Sequence, residues 1–176
     1  MWSLVPHDVS VAMYLLGDTP ISVAATGKSY LQKNIEDVIF MSLGFKKNIL
    51  SNIHVSWLDP HKMRKFTIVG SKKMAVFDDM EPKDKIKVYD KGFDKKTDYN
   101  YKSFFSVRQG SVRIPKLGFV EPLKLECQHF VDSVVKRKKP FTDDYNGLSV
   151  LSVLEAAQKS LKNSGKLVKI KKFAKK

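Results

Sequence analysis

The sequence predicts an α+β fold, an open, mainly antiparallel β-sheet with helices packed on one face. Helical periodicity is confined to the two ends of the chain, and short runs that alternate with period two fill the middle. Turns of hairpin length separate those runs, so successive strands pair antiparallel and the helices segregate to one side. A chain of 176 residues with 43% apolar and 28% charged composition has room for one domain over 1–176 with a sizeable core, and not for a second of full size.

The first helix follows from Val9, Ala12, Met13 and Leu16, which fall at i, i+3, i+4 and i+7, with Pro6 suited to the first turn and Gly17 to the stop. Strand-like runs then occupy 21–30, 37–45, 49–57, 65–69, 74–78, 85–89, 99–107 and 112–114. The clearest places Ile49, Ser51, Ile53, Val55 and Trp57 on one face and Leu50, Asn52, His54 and Ser56 on the other. Lys46-Lys47-Asn48 and Gly70-Ser71-Lys72 are the hairpin turns. Helical spacing returns after Pro122 as two stripes. One is Leu123, Cys127, Phe130, Val131 and Val134; the other is Val150, Val153, Leu154, Ala157 and Leu161, closed by Gly165. The last run, 166–173, alternates lysine with Val168 and Ile170, as an exposed sheet edge does, and leads into a lysine-rich tail over 166–176. Residues 37–45 are apolar on both faces, so the open face of the sheet is expected to meet another subunit or domain, and the chain to self-associate as a homo-oligomer. Residues 80–97, charged and poor in apolar side chains, are expected to form a mobile excursion.

Several function classes are excluded. The nine glycines are never closer than eight positions apart, so neither a G-x-G-x-x-G dinucleotide loop nor a Walker A loop exists. His7, His54, His61 and Cys127 have no close ligand spacing, and no serine sits in a nucleophile elbow, so neither a metal site nor a hydrolase is expected. The apolar runs are too short to span a bilayer, and Pro6, His7 and Asp8 interrupt the place of a signal peptide's apolar stretch. With a single cysteine, a reducing, cytoplasmic setting is the expectation. The net charge of +14 comes from 32 Lys+Arg, of which only four are arginines, and residues 136–176 carry 12 of the 32. Scarce arginine argues against base readout and so against specific nucleic-acid binding. A noncatalytic module binding phosphate polyanions through its lysines is the alternative reading of that charge.

Trp2-Ser3-Leu4-Val5-Pro6-His7-Asp8-Val9-Ser10, followed by Tyr14-Leu15-Leu16-Gly17, resembles the start of the second domain in the glucose-fructose oxidoreductase, inositol dehydrogenase and MocA family. Segments similar to later parts of that domain follow in order: His54-Val55-Ser56-Trp57-Leu58-Asp59-Pro60, Glu121-Pro122-Leu123, and Val153-Leu154-Glu155-Ala156-Ala157. Members nearest in pattern are nucleotide-sugar and amino-sugar dehydrogenases. The resemblance implies a substrate-binding and oligomerisation domain that follows a Rossmann domain binding NAD or NADP. It makes His7 the acid/base that takes the sugar hydroxyl proton as nicotinamide accepts hydride, a role suited to an imidazole, which exchanges protons near neutral pH. The family pattern has an aspartate four residues before the histidine; here Ser3 stands there, able to hydrogen-bond without charge. Trp2 and Ser3 are therefore the substrate-binding candidates beside His7, and Asp8 is read as supporting the helix start. Arg108 and Arg113 are candidates for an anionic substrate group, with a solvated strand face as the alternative. No cofactor is expected to bind this chain alone, nor is turnover. A separate Rossmann-domain polypeptide is an expected partner if the chain is half of a split enzyme, while an excised fragment and an oligomerising remnant are the other origins the sequence allows.

Overall fold

In a computed structural model, which describes residues 1–98, 101–118 and 120–173, three helices and two four-stranded antiparallel sheets realise the α+β class. The strands are thus divided between two sheets instead of lying in one. Met1–Leu58 with Leu125–Lys176 make one compact unit, and Asp59–Lys124 a second.

In the first unit, α1 (Val5–Leu16) buries Val5, Val9 and Met13, a stripe at i, i+4 and i+8, while Ala12 and Leu16 pack at its margin. Gly17 closes it in the left-handed region at φ 63°. The sheet comprises β1 (Ser22–Lys28), β2 (Val38–Gly44), β3 (Leu50–Ser56) and β8 (Val168–Lys169), in the order β3-β2-β1-β8. Its covered face carries Val23, Ala25, Ile39, Met41, Leu43 and Ile53, all buried. Each fully buried aliphatic side chain there contributes about 1.5–3 kcal/mol. The alternate residues of β2, led by Phe40 at 55% exposure, lie on the open face, where Phe40 stacks on His54 across the strands at 4.4 Å. Buried Asp37 organises the bend between β1 and β2 by accepting the Tyr30 and Leu31 amides on one carboxylate oxygen.

Helix α3 (Asp144–Lys162) packs on β1 through Val150, Val153, Leu154, Ala156 and Ala157. Its buried side also holds Ser149, Ser152 and Ser160, small residues that bring helix and sheet close. Ser160 is fully buried: its Oγ accepts the Ala25 N–H at 2.9 Å and donates to the Lys166 carbonyl at 2.7 Å. Strand β8 pairs with β1 only at residues 22 and 23, so the hydroxyl satisfies the Ala25 amide where the ladder has ended. Asp143 caps α3 by accepting the Asn146 N–H at 2.7 Å, and its other oxygen, 2.8 Å from Lys139 Nζ, holds that ammonium above its usual range. Gly165, at φ 83°, turns the chain back from α3, with its N–H bonded to the Ser160 carbonyl.

The second unit is a sheet of β4 (Lys65–Val69), β5 (Met74–Asp78), β6 (Ile86–Asp98) and β7 (Tyr101–Arg113), in that order. The turn at Gly70 closes with Gly70 N–H to Lys73 O at 3.0 Å, as its sequence predicts. The excursion expected over 80–97 is instead mostly strand, and the runs at 99–107 and 112–114 merge into β7, positions 99 and 100 lying outside the described residues. Cross-strand backbone pairing tolerates the charged side chains of β6, with irregularities at Tyr89/Lys91 and Lys96/Asp98. Phe66 and Phe77 pair across β4 and β5 with ring centroids 6.2 Å apart.

Helix α2 (Pro122–Val135) departs furthest from expectation. It forms where its periodicity predicts, with Glu121 accepting the Lys124 N–H at 2.6 Å, but it buries no residue. The stripe that the sequence assigns to a helix packed on the sheet remains uncovered.

Candidate functional site

The site candidates at the chain start are placed by burial on either side of them. Met1 and Val5 are buried, and the Leu4 and Val5 amides both bond to the Met1 carbonyl, at 3.3 and 3.2 Å. Residues 1–4 therefore make a turn that leads directly into α1. Pro6 occupies the first turn, where a missing N–H costs nothing, and Asp8 adds negative charge at the positive helix end. Because Val5, Val9 and Met13 point into the core, His7 falls on the exposed side of α1. Ser3, four residues earlier, is exposed one turn before it.

Trp2 is half-exposed, and its indole N–H donates to Gln158 Oε1 of α3 at 3.1 Å. Gln158 was not legible as a site residue: it lies 156 positions away, and nothing local distinguishes it from any other polar residue on a helix. Trp2, Ser3 and His7 are all exposed at the start of the chain, and Gln158 of α3 anchors the indole. Chemically, this group offers an imidazole able to take or give a proton, a hydroxyl that donates and accepts, and an aromatic surface held by its N–H.

Arg108 belongs to the second unit. Its Nη2 donates to the Lys72 carbonyl at 2.6 Å and lies 3.4 Å from Asp90 Oδ1, with its side chain 38% exposed. Gly92 makes room for it, since a Cβ there would stand 3.0 Å from Arg108 Nη2. The guanidinium joins the β4–β5 turn to the β6–β7 pair. Also in this unit, Asp79 accepts from Lys85 Nζ at 2.8 Å and faces Arg64 at 3.7 Å. The hydrogen bond from Lys85 is the main cause that holds its carboxyl below the usual range.

A depression of about 230 Å³ lies on the first sheet between Thr26, Gly27, Lys28, Tyr30, Val38 and Phe40, and does not include His7. Among the described residues no group of three metal-ligating side chains occurs, and no helix is long and apolar enough to cross a membrane.

Among the described residues, the helix starts do not suit the phosphates of a dinucleotide. The start of α3 is already capped by the Asp143 carboxylate, which would repel a phosphate, and the first turn of α1 contains Pro6, which has no N–H to offer, and Asp8. The Glu121 carboxylate already accepts the Leu123 and Lys124 N–H groups at the start of α2, so among the described residues none of the three helix starts offers a phosphate cradle.

Comparison with known proteins bears on this geometry. A family model described as the GFO/IDH/MocA C-terminal domain matches residues 1–76, the segment that holds the His7 turn. No curated protein matches in sequence. Among solved structures, UDP-N-acetylglucosamine 3-dehydrogenase GnnA from Acidithiobacillus ferrooxidans is similar with a TM-score of 0.73 and 16% identity, over 92% of this chain and 46% of that one. Levoglucosan dehydrogenase in complex with NADH gives 0.74 and 13%, over 97% and 50%. The WlbA dehydrogenase from Bordetella pertussis, in complex with NADH and UDP-GlcNAcA, gives 0.64 and 21%, over 94% and 43%. The chain shares their fold over nearly its whole length and spans about half of theirs.

Proposed function

We propose that this chain is a GFO/IDH/MocA-type substrate-binding and oligomerisation domain of an NAD(P)-dependent sugar or nucleotide-sugar dehydrogenase. Its dinucleotide is held by a domain outside the residues described above. The observation that carries this reading is the exposed Trp2-Ser3-His7 turn, inside the segment that matches the family model and on a fold shared with sugar dehydrogenases. In the proposed reaction a substrate C–H gives its hydride to nicotinamide while the O–H on that carbon gives its proton to His7, so the alcohol becomes a carbonyl. Ser3 orients the hydroxyl, and Trp2, fixed by Gln158, supplies a flat apolar surface for a sugar ring. Arg108, in the second unit, is proposed separately as a candidate for binding an anionic group, in addition to its contact with Asp90. The open face around Phe40 and His54 is the proposed homo-oligomer contact, and a reducing cytoplasm the proposed setting for exposed Cys127.

Chemical-shift mapping tests the reading. Titration of the chain with UDP-N-acetylglucosamine or levoglucosan at millimolar concentration is expected to move the Trp2 indole, Ser3 and His7 resonances, and His7→Ala to weaken the response. A titration that moves none of the three refutes it. Polyanion binding by the lysine-rich end is the competing reading. It predicts oligonucleotide affinity that falls steeply with salt and leaves the His7 turn unaffected.

A further inference from the structure

We infer that His129 is a pH-operated latch: its neutral imidazole ties the connection between α2 and α3 back onto α2, and protonation releases it. The residues that make the tie all belong to the first unit, and none is part of the Trp2-Ser3-His7 group.

The connection turns sharply. Arg137 closes α2 in the left-handed region at φ 49°, and the Lys138 N–H returns to the Ser133 carbonyl at 3.0 Å. Beyond Pro140 the chain has come back along the helix, and the Phe141 N–H donates to Nε2 of exposed His129 at 3.0 Å. Ser133 Oγ donates to the carbonyl of the same histidine at 2.7 Å. The Phe141 ring then meets Tyr14 of α1 edge-on, with centroids 5.3 Å apart. A single hydrogen bond thus joins α2 to a segment that also touches α1. Tyr14 follows His7 by seven residues, two helical turns, and so stands on the same side of α1.

A ring nitrogen accepts a hydrogen bond only while it carries no proton. Because Nε2 faces an amide N–H, the latched imidazole is neutral and holds its proton on Nδ1. A second proton, which imidazoles take up near neutral pH, makes Nε2 a donor and sets it against the Phe141 N–H. The charged ring has another partner within its own helix. Asp132 lies one turn along α2, its carboxyl held below the usual range first by the hydrogen bond from Lys136 and, to a smaller extent, by the charge of His129. Lys136 and Gln128 each take one oxygen of that carboxylate, at 2.6 and 2.8 Å, and leave further lone pairs for an imidazolium.

The other charged groups around the latch are Glu126, one turn before His129, and Arg137, Lys138 and Lys139 of the connection. Lys139 is engaged by Asp143 at the start of α3, at 2.8 Å, and α1 contributes the Tyr14 phenol beside Phe141. The tie is therefore complete where the imidazole is neutral and is lost as pH falls through its titration. Its loss frees the segment around Phe141, and the side of α1 that bears His7 gives up a neighbouring ring.

NMR of the full chain between about pH 8 and pH 5, the range in which imidazoles titrate, tests the latch. At the upper end, long-range proton–nitrogen correlations are expected to place the His129 proton on Nδ1. On acidification the Phe141 amide and Tyr14 ring resonances are expected to move with the midpoint of the His129 imidazole. Protection of the Phe141 amide from hydrogen exchange, taken relative to its intrinsic rate, is expected to fall about fivefold, as loss of one exposed hydrogen bond does. His129→Ala alters only an exposed side chain and is expected to leave that amide unprotected throughout, while His7, His54 and His61 still titrate. A proton on Nε2 at the upper end, a Phe141 protection that acid does not change, or one that survives in His129→Ala overturns the inference.

Discussion

Ser160→Ala removes one oxygen from a fully buried position and breaks two hydrogen bonds, from the Ala25 N–H at 2.9 Å and to the Lys166 carbonyl at 2.7 Å. Lys166 is exposed, so water can replace the hydroxyl at its carbonyl; no water reaches the Ala25 amide behind a residue with zero exposure. The cost is therefore that of one orphaned buried donor, about 1–3 kcal/mol, which lowers Tm by roughly 2–10 °C for a chain of this size. Ser152→Ala is the internal control. Ser152 is also buried, but its Oγ bonds only to the carbonyls of Leu148 and Ser149 in its own helix, so its loss is expected to cost under about 0.5 kcal/mol. Urea unfolding of the two variants against the parent, with hydrogen exchange at the Ala25 amide, gives the comparison. Equal stabilities for the two variants, or an Ala25 amide that exchanges no faster in Ser160→Ala, refutes the reasoning. The consequence reaches the candidate site, because Gln158, which holds the Trp2 indole, lies two residues from Ser160 on the helix that this bond docks onto β1.

Further outcomes are expected. Asp143→Ala should cost about 1 kcal/mol by uncapping α3, measured by urea unfolding, and a loss too small to detect would show that the N-cap bond to Asn146 is dispensable. The same Asp143 raises the pKa of Lys139 above 10.5, so the contribution of that pair is fully present at neutral pH and is lost as pH rises through the raised value; stability of the parent should decline there more than that of Asp143→Ala. In the second unit, Asp79 titrates below its ordinary 3.8, chiefly through the Lys85 hydrogen bond. Its contribution is present above 3.8 and is lost as pH falls through the lowered value. Lys85→Met should return the Asp79 carboxyl toward 3.8 in a carbon-detected NMR titration, and an unchanged midpoint would assign the shift to another group.

By itself the sequence determined what depends on neighbours along the chain. Periodicity placed all three helices, and turn chemistry placed the Gly70 hairpin and the stop at Gly17. The stripes of α1 and α3 include most of the buried apolar residues of those helices, because a single apolar face at helical spacing has only one stable destination. The exposure of His7 follows from the same periodicity, since Val5, Val9 and Met13 take the buried side of α1.

Only the tertiary structure decided the relations that span many residues. Val5, absent from the stripe read in the sequence, proves fully buried because the turn at residues 1–4 lets α1 begin before Pro6. Ser149, Ser152 and Ser160 look like surface residues by type, yet close packing of α3 on β1 buries them and gives the Ser160 hydroxyl its role at the ladder's end. The charged run at 86–98 forms a strand because β7 supplies backbone partners, which do not depend on side-chain polarity. Gln158 meets Trp2 only through the packing of α1 beside α3. The amphipathic pattern of α2 says that the helix has a face to cover and is silent on what covers it. A periodicity records the need for burial locally, whereas the partner that meets that need is a property of the assembled fold.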